Sequence, residues 1–201
     1  IEENPDLLKL GGERKRITVV FADLANFTTF CDTADPQEIQ EVLSIYFAAA
    51  ADTVFSEGGV IDKYLGDGIL AFFENDGDSI SSPVKATRAC IALQEWALKT
   101  NKRFKEQNRF PFIIRAGIAT GYAKVGNIGP PEKIDYTIIG SVVNLASRLE
   151  GVGEDNDIIV DQDTQFFLKD DFFIESVGEK ELKGFKKSIE VFRVNYRNEI
   201  T

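Results

Sequence analysis

The sequence predicts an α+β domain, a mainly antiparallel sheet backed by two long helices and followed by a small C-terminal α/β appendage. Three observations carry this. A β-branched apolar run occupies 17–23, helix starts are marked at Asp35-Pro36 and Ser82-Pro83, and a tight hairpin lies between those helices at 60–73. Residues 1–16 are polar apart from Leu7, Leu8 and Leu10 and end in GGERKR, which reads as a lead-in segment or linker. ITVVFAD, 17–23, is almost continuously apolar, as in a strand buried on both faces, and it ends on Asp23. Asp35-Pro36-x-Glu38 places an N-cap, a first-turn proline and a capping-box glutamate in order, and apolar residues follow at helical spacing to Phe55. After Gly58-Gly59, VIDKYLGDGILAFF (60–73) reads as two strands around an Asp67-Gly68 turn. The second helix carries a core stripe of Ala89, Leu93, Trp96 and Ala97.

FPFIIRAGIATGYAKVGNIG, 110–129, alternates but is broken by glycines, as in a long bent strand or a hairpin. Residues 141–151 form a short helix with Val142, Leu145, Ala146 and Leu149 inward and Ser141 as its N-cap. DIIV (157–160) and SIEVFRV (188–194) are closing strands, separated by a helical stretch at 162–168 and a loop carrying ELKGFKK. This order is the β-α-β-β-α-β pattern of a ferredoxin-like split unit. The expected organisation is a lead-in at 1–16, one domain at 17–196 and a tail at 197–201.

A hydrophobic content of 43% with 16 Phe in 201 residues supports one sizeable core. The 23 basic and 33 acidic residues give a net charge of -10, which argues against nonspecific binding to nucleic acid or to an anionic membrane surface. No apolar run approaches the ~20 residues of a membrane span, and IEENPDLLKL lacks the order of a signal peptide. A cytoplasmic, soluble domain is expected. Cys31 and Cys90 lack metal-type spacing and read as reduced and packed. The start at Ile1 and the lack of any Met suggest an excised piece with an upstream sensor domain. Histidine is absent too, so a metal held by this chain must be a hard one with oxygen ligands.

In this topology the first strand and the central hairpin are neighbours, so Asp23 and Asp67 meet at one sheet edge. Two carboxylates suit two Mg²⁺ or Mn²⁺ ions, which bind together with substrate phosphates. LANFTTF after Asp23 turns into a helix whose first N–H groups can receive a phosphate. Asp62 reads as merely solvated.

FADLANFTTF, DKYLGDG, RAGIATGYAKVGNIG and DYTIIGSVVNLASRLE resemble, in order and spacing, the signature blocks of class III nucleotidyl cyclase catalytic domains. The similarity runs from about Gly11 to about Val194. It implies an adenylate cyclase that turns ATP into 3′,5′-cyclic AMP and pyrophosphate at sites shared across a homodimer. By the resemblance, Asp23, the Leu24 carbonyl and Asp67 hold the metals. Lys63 reads the purine, where guanylate cyclases have Glu, and Thr137 is its partner, where Asp or Cys is commoner. A Thr-type subgroup includes the bicarbonate-responsive soluble cyclases, which makes bicarbonate a candidate ligand. Asn144 orients the ribose and Arg148 stabilises charge on the α-phosphate. Arg115, Lys183 and the loop aromatic Phe27 fall at phosphate-binding positions. The alternatives are a guanylate or mixed-specificity cyclase, and a silent nucleotide-binding or dimerisation module.

Overall fold

The computed structural model describes residues 11–75, 77, 80–130 and 132–195; the first ten residues of the expected lead-in and the whole expected tail lie outside them. The elements are β1 (Gly11–Leu24), α1 (Phe27–Cys31), α2 (Pro36–Ser56), β2 (Val60–Leu65), β3 (Gly68–Glu74), α3 (Ser82–Glu106), β4 (Ile114–Ile128), β5 (Asp135–Ile139), α4 (Ser141–Glu150), β6 (Ile158–Asp161), α5 (Gln162–Leu168), β7 (Phe173–Lys180) and β8 (Ile189–Asn195). They build one sheet in the order β2-β3-β1-β4-β6-β8-β7, with β5 paired to β4 off that path. Every pairing is antiparallel except β4 with β6. The order of β1 to β4 is the one a β-α-β-β-α-β unit produces.

The inner strands of the sheet are buried on both faces. On one face α2 and α3 cover Val20, Ala22, Leu24, Phe73, Ile114 and Ile118. Helix α2 is capped as its sequence predicts, with Asp35 accepting from Gln37 N at 2.8 Å and Pro36 in the first turn. Its Val42, Tyr46, Ala50 and Val54 are buried, and Tyr46 Oη donates to the Ala22 carbonyl at 3.2 Å, tying the helix to β1. On the other face α4 covers Ile17, Val19, Ala119 and Ala123. Its seat is cut by glycine. A Cβ on Gly117 would stand 2.1 Å from the Ala146 carbonyl oxygen and 2.3 Å from Glu150 N, and one on Gly121 would stand 3.3 Å from Val142 Cβ. The glycines of 110–129 therefore leave β4 a single strand and let a helix backbone lie against it.

Four local expectations change. Gly11–Arg16 is strand rather than linker, paired with Tyr122–Asn127. Its polarity reflects a ribbon that extends past the core, with Arg14 stacked 4.0 Å over Tyr122. The hairpin turn is Gly66-Asp67, since Leu65 pairs with Gly68; Gly66 supplies the positive φ of 65° that the first turn position demands. Ser141 is the first residue of α4, and the N-cap position falls on Gly140, which offers no side chain. Strands β5 and β7 are additional to the expected elements; β7 carries a bulge between Ser176 and Gly178 that spoils its alternation.

Asp161 caps α5 by accepting from Thr164 N at 3.1 Å, and the same oxygen accepts from Thr120 N at 3.3 Å. A chain of hydroxyls, Thr164 to Thr120 (2.8 Å), Thr120 to Thr18 (3.0 Å) and Thr18 to Ser82 (2.9 Å), continues from it across the sheet. Burial pushes the Asp161 carboxyl up to about 6, against the hydrogen bonds it accepts. A raised carboxyl contributes stability that is complete below the unfolded value and is lost as pH rises through the folded one. Asp161→Asn keeps an accepting oxygen and removes the charge. Relative to the parent, the variant should gain on the order of 2 kcal/mol between pH 4 and pH 7.5. Urea unfolding at the two pH values measures this, and an unchanged difference between the proteins would refute it.

Cys31 and Cys90 are free thiols, as expected. Among the described residues no helix is long and apolar enough to cross a membrane.

Candidate active site

Asp23 lies one residue from the end of β1 and pairs in register with Arg115 on β4. Ala22 and Leu24, Ile114 and Ala116 all enter the core under α2 and α3, so strand alternation sends Asp23 and Arg115 to the opposite, α4 face. There Arg115 Nη2 donates to both Asp23 oxygens, at 3.2 and 3.3 Å, and Nε to Oδ1 at 3.4 Å. The close seating of α4 over Gly117 brings in a carboxylate that the sequence reading missed. Glu150 Oε1 stands 3.1 Å from Arg115 Nε, and the residue is buried. Burial first, and then Asp23, push the Glu150 carboxyl up to about 8. Its signal was in the sequence, because Glu150 extends the Val142, Ala146 stripe of α4 by one more turn and so places a carboxylate on an apolar face.

Asp67, in the β2–β3 turn, reaches the same cluster. Its carboxyl is pushed up by burial and by the charge of Asp23, with Arg115 opposing. Burial also works against the Arg115 charge, but Asp23 and Glu150 outweigh it and its pKa is raised. Asp23, whose charge pushes the Asp67 carboxyl up, and Asp67 itself both face Arg115, and together they form a local excess of negative oxygen. That donor chemistry fits a hard divalent cation. Among the described residues no group of three or more His, Cys, Asp or Glu side chains forms a metal cage. A cation at Asp23 and Asp67 would therefore complete its shell with backbone, water or substrate oxygens, as Mg²⁺ commonly does.

Phe27 opens α1 after Asn26, whose φ of 64° turns the chain out of β1. Its ring is buried against Phe30 and Phe110, both at 5.9 Å between centroids, so it packs and does not line the cluster. Leu24, the last residue of β1, is buried beside Asp23.

Lys63 and Thr137 are brought together from β2 and β5, with Lys63 Nζ donating to Thr137 Oγ1 at 3.1 Å. Thr137 is 8% exposed. Asp62 is not solvated: its side chain has no exposed surface, and Lys63 Nζ stands 3.0 Å from its Oδ2. A bulge between Ile61 and Lys63 accounts for this, because the extra residue breaks the alternation that would send Asp62 and Lys63 to opposite faces.

Asn144 and Arg148 sit one turn apart on α4 and are exposed. Lys183 is exposed in the 181–188 loop, which rims a cavity of about 460 Å³. The cavity is lined by loop residues alone, so within this one chain Lys183 meets none of the other expected site residues there.

This combination of split α+β sheet, carboxylate pair at the end of its inner strands and lysine–threonine pair drawn from β2 and β5 defines a nucleotide cyclase type of catalytic domain. The chain belongs to the adenylate and guanylate cyclase catalytic domain family, whose model matches residues 12–196. It is 29% identical over 183 residues to adenylate cyclase 1 of Rhizobium meliloti (strain 1021), covering 90% of this chain and 28% of that protein. It is 35% identical over 142 residues to an adenylate cyclase of Anabaena cylindrica, covering 69% of this chain and 27% of that protein. The chain thus spans little more than a quarter of the length of these relatives. Among solved structures it resembles the adenylyl cyclase CyaB from P. aeruginosa, with a TM-score of 0.88 and 32% identity over 96% of this chain and 100% of that one. The guanylyl cyclase Cya2 also matches, with a TM-score of 0.83 and 30% identity over 92% of this chain and 94% of that one.

Proposed function

We propose that this domain is an adenylate cyclase that converts ATP to 3′,5′-cyclic AMP and pyrophosphate at sites shared between two copies of the chain. The observation that carries the base preference is the hydrogen bond between Lys63 and Thr137. An ammonium donor beside a hydroxyl acceptor matches adenine, which offers the N1 acceptor and the 6-amino donor. Guanine reverses both groups.

In the reaction the ribose 3′-hydroxyl gives up its proton to solvent and its oxygen attacks the α-phosphorus; a new P–O bond forms, the bond to the β-phosphate oxygen breaks, and pyrophosphate leaves. Asp23, Asp67 and the Leu24 carbonyl would hold Mg²⁺ or Mn²⁺, which when bound supplies Lewis-acid activation and neutralises phosphate charge. Arg115 binds the β- and γ-phosphates, a role its position opposite Asp23 supports, and Lys183 assists from its loop. Asn144 orients the ribose, and Arg148 meets the charge that grows on the α-phosphate. Both are exposed on α4 and free to face a second chain. In the dimer reading, one copy supplies Asp23, Asp67 and Arg115, and the other supplies Lys63, Thr137, Asn144 and Arg148.

The likeness to Cya2 favours a second reading, a mixed-specificity cyclase. The test is cyclic nucleotide formation from ATP and GTP in parallel, with Mg²⁺ and with Mn²⁺, over a range of protein concentration. Cyclic AMP in excess, with specific activity rising with concentration, is expected. Equal turnover of GTP would replace the adenylate reading with the mixed one, and absence of any product would point to a silent nucleotide-binding module.

A further inference from the structure

Asp62 is the one described residue with both carboxylate oxygens buried and neither accepting a hydrogen bond. A buried carboxylate left in that state costs several kcal/mol unless a cation compensates it. Its compensating cation is its own neighbour, Lys63, at 3.0 Å. The pairing depends on the bulge, since a regular strand would point consecutive side chains to opposite faces. The result is a lysine held from two sides, by the Asp62 carboxylate and by the Thr137 hydroxyl at 3.1 Å, while its own side chain remains 44% exposed. An ammonium has three N–H donors. One is directed to Thr137 Oγ1, while the charge of the Asp62 carboxylate holds the ammonium from the other side, so the remaining donors are left to face the open.

We infer that Asp62 is a positioning residue that locks Lys63 in its base-reading pose and thereby sets the preference for adenine over guanine; this rests on the reading of Lys63 and Thr137 as the base-contacting pair. A lysine on a flexible four-carbon stem discriminates poorly when free, because it can swing from N1 of adenine to O6 of guanine. Held by Asp62, it meets the N1–H of guanine donor to donor. Pairing with a carboxylate also reduces its action as an unscreened cation, which would attract either triphosphate equally.

The experiment compares Asp62→Asn, Lys63→Ala and the double variant with the parent chain. The readout is the ratio of kcat/KM for ATP to kcat/KM for GTP, measured with Mn²⁺. Both nucleotides are assayed on one preparation, so any loss of folded protein cancels from the ratio. Asp62→Asn should lower it about tenfold, mainly through a higher KM for ATP, while kcat with ATP changes less than about threefold. In the Lys63→Ala background, Asp62→Asn should have no further effect on the ratio. If Lys63→Ala lowers the ratio and Asp62→Asn does not, the inference is overturned and the base reading stands. If Lys63→Ala itself leaves the ratio unchanged, the base reading fails and takes the inference with it. A lowered Tm in Asp62→Asn with equal losses on both nucleotides would assign Asp62 a purely structural role and would also overturn the proposal.

Discussion

If Asp23 holds the reaction's cations, Asp23→Asn should give a folded chain whose cyclic nucleotide formation is reduced at least about a thousandfold. The asparagine keeps an oxygen for Arg115 in place of the present contacts at 3.2 to 3.4 Å. Because the asparagine oxygen still accepts from Arg115 and Glu150 still pairs with it at 3.1 Å, weakening this contact should cost on the order of 1 kcal/mol. Removing the charge also relieves Asp67 and Glu150, whose carboxyls Asp23 pushes up. The Tm of the metal-free variant should therefore match the parent's or exceed it. Two measurements check the prediction: turnover of ATP with Mg²⁺ and with Mn²⁺, and thermal melts with and without Mn²⁺ plus a non-cyclisable ATP analogue. The parent should be stabilised by that mixture and the variant should not. Full turnover in a folded Asp23→Asn chain would remove the metal assignment.

What the sequence made legible follows physical strength of signal. The buried strand ending on Asp23, the Asp35-Pro36 helix start and the order of the first four strands all rest on burial and capping, which leave periodic marks in one segment at a time. The turn was read one residue late, because Asp67-Gly68 and Gly66-Asp67 are both acceptable turn pairs and only the cross-strand register selects between them. GGERKR looked like a linker because its residues are polar on both sides. Its strand character comes from pairing with residues more than a hundred positions away. Strand β7 hid behind its bulge, and β5 behind its exposure, since only Thr137 and Ile138 in it are buried. Within the site, Asp62 and Glu150 escaped for one reason. Each is a carboxylate whose meaning depends on a partner brought to it by tertiary structure, Lys63 through a bulge and Arg115 through the seat at Gly117.

Arg148→Ala separates catalysis from folding most cleanly. The residue is exposed on α4, and its guanidinium has no ion pair among the described residues, so truncation should change stability by no more than about 0.5 kcal/mol. If Arg148 meets charge that develops only as the α-phosphate is attacked, kcat should fall by roughly 10² to 10⁴ while KM for ATP changes only a few-fold. A loss carried by KM with kcat intact would make Arg148 a ground-state phosphate contact. The same variant tests how the site is assembled. In the shared-site reading, a mixed dimer of Asp23→Asn and Arg148→Ala chains carries one site with both defects and one site with neither. Statistical exchange makes half the dimers mixed, so an equimolar mixture of two inactive variants should recover roughly a quarter of the parent activity. Recovery can arise only if Asp23 and Arg148 of one site come from different chains. If all catalytic groups of a site came from one chain, the mixture would stay as inactive as its components, and the two residues, both present here on one face of one sheet, would have to meet within a single copy.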